Sequence, residues 1–256
     1  MIEHDQLVDG LGRLGVRTGT VLMVHASLSA FGPVHGGAET VLDALLTAVG
    51  PSGTVVVPSF TGQISDPCPG ADPLDPEVIR ARAAVALFDD RTPTAMGALP
   101  SAVLARPDRV RSRHPQASVA AIGAAAGQLT ASQPLAYALG ADSPFGAMYR
   151  LRAQILLLGV GHNRNSFLHH AETLVAGHRR KLRRFPYLVE GQRVWVEAPD
   201  VGDDNDTHFP RIGADYAATS GIRQASIGQA DCQLLDSVPF IDFARRRLAE
   251  LLPGTG

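Results

Sequence analysis

Cysteine is scarce: only Cys68 and Cys232 occur in 256 residues. Two thiols cannot build a disulfide framework, and nothing around them has metal-ligand spacing, so a reducing compartment is the simplest expectation. An excess of charge of one sign is missing too. The 23 Lys and Arg stand against 25 Asp and Glu, a formal net charge of −2, which excludes the strongly basic character of a nucleic-acid binder. Long apolar runs are absent: the most hydrophobic stretch, Ile155 to Val160, is far too short to span a bilayer. The opening Met1-Ile2-Glu3-His4-Asp5 begins acidic and has no apolar core of signal-peptide length. There is no internal repeat, low-complexity tract or obvious linker. The expectation is a cytoplasmic protein that binds neither membrane nor nucleic acid, either monomer or homodimer.

What is present is the patterning of an ordered α/β chain. Ile2, Leu7, Leu11 and Leu14 recur at near-helical spacing over residues 2–14. Thr20 to His25 is apolar without alternation, as in a strand covered on both faces. A Gly-rich loop, a helix over Ala38 to Val49 and a second buried strand over Thr54 to Val57 complete a crossover unit, which predicts parallel neighbours in a sheet. Phe60 to about Asp75 reads as a long surface loop. Further strands are expected near Ser118 to Ile122, Ile155 to Val160, Arg193 to Glu197 and Ile222 to Ile227. Further helices are expected over Met96 to Ala105, Ser166 to Ala176 and Pro239 to Leu252, with another starting near Pro210. The fold class is α/β: one domain, residues 1–256, around a mixed, partly parallel sheet flanked by helices, with two lobes.

Two segments carry chemistry. The first, His25 to Gly37, leaves a strand and enters a helix through small residues. Backbone N–H groups can approach a ligand there, and the helix start favours an anion such as a pyrophosphate. The segment matches neither the Gly-Lys-Ser/Thr phosphate loop nor the three-glycine dinucleotide fingerprint, and a plain structural turn explains its glycines equally well. His25 closes its strand where open α/β sheets place ligands; a satisfied edge residue is the alternative.

The second segment runs from Leu156 to Glu172. A buried strand ends at Gly161, and Asn165 or Ser166 can cap a new helix. His169 then falls in the first turn, with Glu172 three residues on along the same face. A carboxylate on one imidazole nitrogen fixes the tautomer and leaves the other free to take a proton. Such a base suits attack by an amine, which must be uncharged to react. Zinc ligation and a purely structural pair are the alternatives; the His-Glu-x-x-His spacing is absent, and no metal is expected. The basic run Arg179, Arg180, Lys181, Arg183, Arg184 reads as a solvated helix end or as a phosphate site. Asp66, Asp72, Asp75 and Glu77, and then Asp203-Asp204-Asn205-Asp206, are acidic turns or contacts for a cationic ligand.

These segments together resemble the aminoglycoside 3-N-acetyltransferase family. The matching stretches are Val24-His25-Ala26-Ser27-Leu28, Gly32 to Gly37, Gly53-Thr54-Val55-Val56-Val57-Pro58 and Arg111-Ser112-Arg113-His114-Pro115-Gln116-Ala117-Ser118. Ser143-Pro144-Phe145-Gly146, Leu157 to Gly161 and Ser166 to Glu172 follow in the same order. Ser166 replaces the usual Thr, and His170 stands where a small or apolar residue is more usual.

The resemblance implies acetyl-CoA as donor and an amino-sugar acceptor, with the 3-amino group of an aminoglycoside's 2-deoxystreptamine ring as the site acetylated. It implies His169 as general base, Glu172 as its orienting carboxylate and His25 as a second active-site histidine. Ser27, Leu28, Ser29, Phe31, Gly32, Val34, His35, Gly36 and Gly37, with Arg111, Ser112 and Ser118, correspond to the CoA side, His114 being mainly structural. Asp204, Asp206 and His170 fall on the acceptor side. Direct transfer without an acyl-enzyme is expected, with backbone N–H groups or the Ser118 hydroxyl stabilising the oxyanion. An N-acyltransferase for a different amine, a CoA thioesterase and a non-catalytic CoA- or sugar-binding protein are the competing possibilities.

Overall fold

The leucines spaced along residues 2–14 become the buried face of the first helix, α1 (His4–Leu14). Glu3 and Gln6 close a capping box at its start. The computed structural model describes residues 1–219 and 221–252. After α1 the chain forms β1 (Val21–Ala26), a 3-10 turn (Leu28–Phe31), α2 (Gly37–Val49) and β2 (Thr54–Pro58). Next come α3 (Pro76–Ala84), α4 (Ala98–Ala105), β3 (Val110–Arg111), β4 (Val119–Gly123), α5 (Ala126–Thr130) and α6 (Pro144–Arg150). Then follow β5 (Gln154–Leu158), a second 3-10 turn (His162–Arg164) and α7 (Phe167–Thr173). The remainder is β6 (Arg180–Val189), β7 (Gln192–Val201), α8 (Phe209–Ala217), β8 (Ile222–Ile227), β9 (Ala230–Asp236) and α9 (Ser237–Leu251).

Seven strands make one mixed sheet in the order β3-β4-β2-β1-β5-β9-β8. The middle three are parallel, β2 to β1 to β5, and the neighbours on either side run antiparallel. Every residue of β2 is buried, which is why that strand reads as an uninterrupted apolar run. Along β1 and β5 the side chains alternate between two cores. Leu22, Val24, Leu156 and Leu158 meet α1, α2 and α4 on one face, while Met23, Ile155 and Leu157 meet α6 to α9 on the other. Among the described residues, no helix is long and apolar enough to cross a membrane.

The mixed sheet, the crossover unit and the opening helix are as expected. The basic run is not a helix end: Arg180 to Arg184 lie in β6, which pairs residue by residue with β7 in a separate two-stranded ribbon. A ribbon paired only with itself is wet on much of its surface, so its strands lack an apolar stripe and read as charged chain. β9 was not foreseen either. It alternates between buried Cys232 and Leu234 and the more polar Asp231 and Gln233, too weakly to stand out. α7 stops at Thr173, earlier than the expected Ala176.

Candidate active site

The parallel strands β1 and β5 end side by side, Ala26 opposite Leu158, and everything chemical gathers beyond those ends. Gly159 follows β5 with φ +64°, and a side-chain carbon there would collide with Ala30. Ser27 N donates to Leu158 O at 2.9 Å. The loop after β1 and the loop after β5 are therefore packed against one another, and only glycine fits between them.

Beyond Gly159 the second 3-10 turn leads into α7. Asn165 Oδ1 accepts from Phe167 N at 3.2 Å, so the cap falls to Asn165 rather than Ser166, whose side chain makes no cap bond. This start sets His169 in the first turn, partly buried, and Glu172 fully buried beneath it. His169 Nδ1 stands 3.4 Å from Glu172 Oε2. The same carboxylate accepts from Arg179 Nε (2.8 Å, on Oε1) and Arg179 Nη2 (2.9 Å, on Oε2). Burial works to raise the Glu172 carboxyl, but the bonds from His169 and Arg179 outweigh it and hold it below its usual range. Arg179 continues to Asp204, 3.1 Å away. The Phe209 ring packs edge-on against the His169 ring at 4.9 Å.

The other imidazole nitrogen, Nε2, lies 2.7 Å from Asn205 Oδ1. Both groups line an open cleft of about 650 Å³. Ser166 and Arg164 continue the His169 wall, and Lys181, Leu182, Arg183 and Arg184 come from β6. Glu197, Asp200 and Val201 come from β7, with Asp203 from the turn after it. Phe60, Met96 and Leu139 supply apolar surface, and Asp66 reaches in from the long loop.

The expected site residues divide sharply. His169 and Glu172 come together as expected. His25 does not reach the cleft. Its side chain points to the α7–α9 face, 4% exposed, and its Nε2 has no hydrogen-bond partner among the described residues. Burial, then the neighbouring His162, push its pKa down to about 3. His162, 3.1 Å from Gln233 Oε1 and pressed so closely on Gly213 that a side chain there would overlap its ring, is lowered by burial to about 4.

His170 faces away from His169. Its Nδ1 bonds Leu139 O at 2.7 Å and its ring packs near Phe167 and Tyr149, so it offers no surface to an acceptor. Ser118 is fully buried; its hydroxyl donates to Ser59 O (2.9 Å) and accepts from Arg111 Nε (3.1 Å). Arg111 is itself spent on Thr92 O and Ser59 O, and burial depresses its pKa to about 10. Ser112 bonds Gln133 Oε1 at 2.6 Å. Ser118 and Arg111 fasten this edge of the sheet to the chain around Ser59 and Thr92, Ser112 ties it to Gln133, and none of the three lines the cleft. His114 does the structural work expected of it, its Nδ1 accepting from Gln116 N and Ala117 N.

Of the residues expected on the donor side, Phe31 is core, 1% exposed, and Gly32 lies under Gln229. Leu28 and Val34 are half-buried, while His35 is exposed and bonds Glu3 at 3.1 Å. Ser27 and Ser29 join through their hydroxyls at 3.1 Å. Gly36 starts α2 without a side-chain cap, leaving first-turn N–H groups available to a ligand. In the acidic turn the cleft takes Asp203 and Asn205, not Asp204 and Asp206. Asp204 bends back to accept from Asp206 N and Thr207 N, each at 3.0 Å, and Asp206 accepts from Asn163. Among the described residues, no group of three or more His, Cys, Asp or Glu could hold a metal ion.

A family model described as aminoglycoside 3-N-acetyltransferase matches residues 23–249. The chain belongs to the aminoglycoside 3-N-acetyltransferase family. It is 32% identical, over 94% of its length and 90% of the relative's, to the SPbeta prophage-derived aminoglycoside N(3')-acetyltransferase-like protein YokD of Bacillus subtilis (strain 168). The solved YokD structure superposes with a TM-score of 0.90 at 30% identity, covering 97% of this chain and 93% of that one. AAC-IIIb in binary complex with CoASH matches at TM-score 0.88 and 30% identity, covering 100% and 98%. AAC-VIa bound to sisomicin matches at 0.87 and 31%, covering 99% of each chain. Within this family frame, sequence reasoning missed Asn205 and Arg179. Each sat inside a charged run, where nothing in the pattern singles out one member.

Proposed function

We propose that this chain is an N-acetyltransferase that moves the acetyl group of acetyl-CoA onto an amino group of an amino sugar, with His169 as general base. One observation carries this: an imidazole at the edge of a cleft, braced on Nδ1 by a buried carboxylate and facing the cleft through Nε2. The CoASH complex of AAC-IIIb and the sisomicin complex of AAC-VIa support the donor and the amino-sugar class. The finer assignment, the 3-amino group of a 2-deoxystreptamine ring, rests on family membership.

The donor side fits residues 27–37. The uncapped start of α2 can receive the CoA phosphates, and the packed junction at Gly159 keeps that loop beside the α7 entry. With Nδ1–H donating to Glu172 and the acceptor amine taking the place of Asn205 at Nε2, the Nε2 lone pair takes the proton. The acceptor nitrogen attacks the thioester carbon and the C–N bond forms as a proton passes to Nε2. Collapse of the tetrahedral intermediate breaks the C–S bond, and the same proton goes to the departing sulfur, giving CoASH and the amide. No acyl-enzyme is required, and Cys232 supports none. It is buried in the sheet, and burial pushes its thiol up to about 11.

His169→Ala should lower turnover about 10²- to 10⁴-fold, the usual size of a general-base effect, in a thiol-release assay. Near-normal turnover by the folded variant would remove His169 from the role. A crystal complex with CoA tests the geometry directly, since the sulfur must lie on the Nε2 side of the ring.

A further inference from the structure

Gln116 belongs to the turn between β3 and β4 and lines the cleft shared by His169 and Asn205, although it is only 8% exposed. Both of its backbone groups are held: N donates to His114 Nδ1 at 3.1 Å, and O accepts from Thr61 N at 3.0 Å. His114 in turn packs edge-on against Phe185 of β6 at 5.5 Å. The side chain is held as well, Nε2 donating to Ile64 O at 2.8 Å. That bond fixes the orientation of the amide, because turning it over would set two carbonyl oxygens against each other.

Oε1 is left buried with no hydrogen-bond donor among the described residues. Buried acceptors are as a rule paired, and an unpaired one costs free energy that a bound donor can recover. Of the side chains lining the cleft, one other has a buried polar atom without a hydrogen bond, Arg184 Nε, and Glu197 Oε1 stands 3.6 Å from it. Among the described residues, Gln116 is thus the one lining side chain whose buried oxygen lacks a donor.

The chemistry of the partner follows. A carbonyl oxygen takes an N–H or an O–H. Residues 27–37, the proposed CoA side, contribute nothing to the lining of the cleft, so the group that reaches Gln116 belongs to the acceptor. An amino sugar carries both kinds of donor at fixed ring positions. The half-exposed carboxylates of Asp203 and Glu197 lie along the same cleft and can hold ammonium groups. A neutral amide beside them reads one amine or hydroxyl without adding charge.

We infer that Gln116 is a specificity residue for the acceptor: its Oε1 accepts a hydrogen bond from an amino or hydroxyl group of the amino sugar other than the reacting amine, and so sets which amine is presented to His169. This rests on the acetyl-transfer reading above.

The test compares Gln116→Met and Gln116→Glu in the thiol-release assay, with sisomicin and acetyl-CoA each varied in turn. Both variants lose the Nε2 bond to Ile64 O, but only glutamate keeps an oxygen in place of Oε1. In Gln116→Met the KM for sisomicin should rise about tenfold or more, the size of one hydrogen bond to a charged donor, with the KM for acetyl-CoA unchanged. Gln116→Glu should hold the sisomicin KM at or below the wild-type value. Thermal melting with CoA checks that each variant is folded, and Gln116→Leu replaces a methionine variant that is not. Equal rises in both variants would show that Gln116 acts only through Ile64. No rise in either, or a rise confined to acetyl-CoA, would remove it from the acceptor site. Each of these overturns the inference and leaves acetyl transfer standing. No release with sisomicin by wild-type protein that binds CoA would overturn the amino-sugar reading itself, and the inference with it.

Discussion

Arg179 grips both oxygens of Glu172, Nε on one at 2.8 Å and Nη2 on the other at 2.9 Å, so the carboxylate that orients His169 is neutralised before it meets the imidazole. The longer 3.4 Å separation between Glu172 and His169 Nδ1 is the counterpart. Arg179→Ala should leave an uncompensated buried carboxylate beside the ring and favour imidazolium. The sign follows: the base then fills with protons at neutral pH, so the acid limb of kcat/KM moves to higher pH, about one unit or more, the scale of a single neighbouring charge. Activity near pH 7 falls and recovers as the pH rises. Arg179→Lys keeps the charge without the two-point grip and should fall between. A pH–rate profile for both variants checks this; an unshifted limb in Arg179→Ala would leave Arg179 merely structural.

Asn205 meets Nε2 at 2.7 Å. Two protonation states satisfy that contact: an imidazolium donating to the amide oxygen, or a neutral ring accepting from the amide NH₂ after the amide turns over. Asn205→Asp removes the second option and adds a charge. The acid limb should again move up, by about one to three units, together with a lower rate at neutral pH. Asn205→Ala should leave the limb near its wild-type position and alter acceptor KM. Identical profiles for wild type and Asn205→Asp would remove this contact from the resting site.

Asp204 holds the turn that presents Asn205, through Asp206 N, Thr207 N and Arg179. Contacts to Thr207 lead in lowering its pKa to about 2. Asp204→Asn should raise acceptor KM several-fold and leave the KM for acetyl-CoA unchanged. Asp206→Asn, at a carboxylate that accepts from half-buried Asn163 at 3.0 Å, should change neither. Steady-state kinetics with each substrate varied in turn separates the two.

His25 and His162 sit neutral in the sheet's α7–α9 side, with pKa values held down to about 3 and about 4. An unfolded chain protonates both near pH 6.5, so below that pH unfolding takes up protons and stability falls. The loss is about 1.4 kcal/mol per pH unit for each ring, running down to about pH 4 for His162 and about pH 3 for His25. His25→Leu should cut the pair's share of this slope by about half. Urea-unfolding midpoints at pH 7.5, 6 and 5 measure it; an equal slope in both proteins would show that His25 titrates normally in the fold.

Legibility from sequence followed how much of each element one environment controls. β1, β2 and β5 are buried on both faces and announced themselves as apolar runs, and α1 did so through three leucines on one side. His169 and Glu172 were readable because their three-residue spacing is local to one helix. Arg179 was not, because its pairing with Glu172 depends on the chain leaving α7 and entering β6, which no pattern in a charged run reveals. His25 was legible as the end of a strand but not as a side chain turned inward, since strand parity fixes its face only once the sheet's two cores are known. His170, Ser118 and Arg111 belong to matched motifs, yet their polar groups are consumed inside the fold.

Among the described residues the ribbon of β6 and β7 pairs with neither edge of the seven-stranded sheet, yet Lys181 to Arg184, Glu197, Asp200 and Val201 all line the cleft. The proposed base is set by α7 and the proposed donor loop by the ends of β1 and β5, while the wall proposed to meet the acceptor hangs on a separate hairpin. Exchanging that hairpin for a relative's would re-tailor which amine is admitted without recutting the machinery that acetylates it.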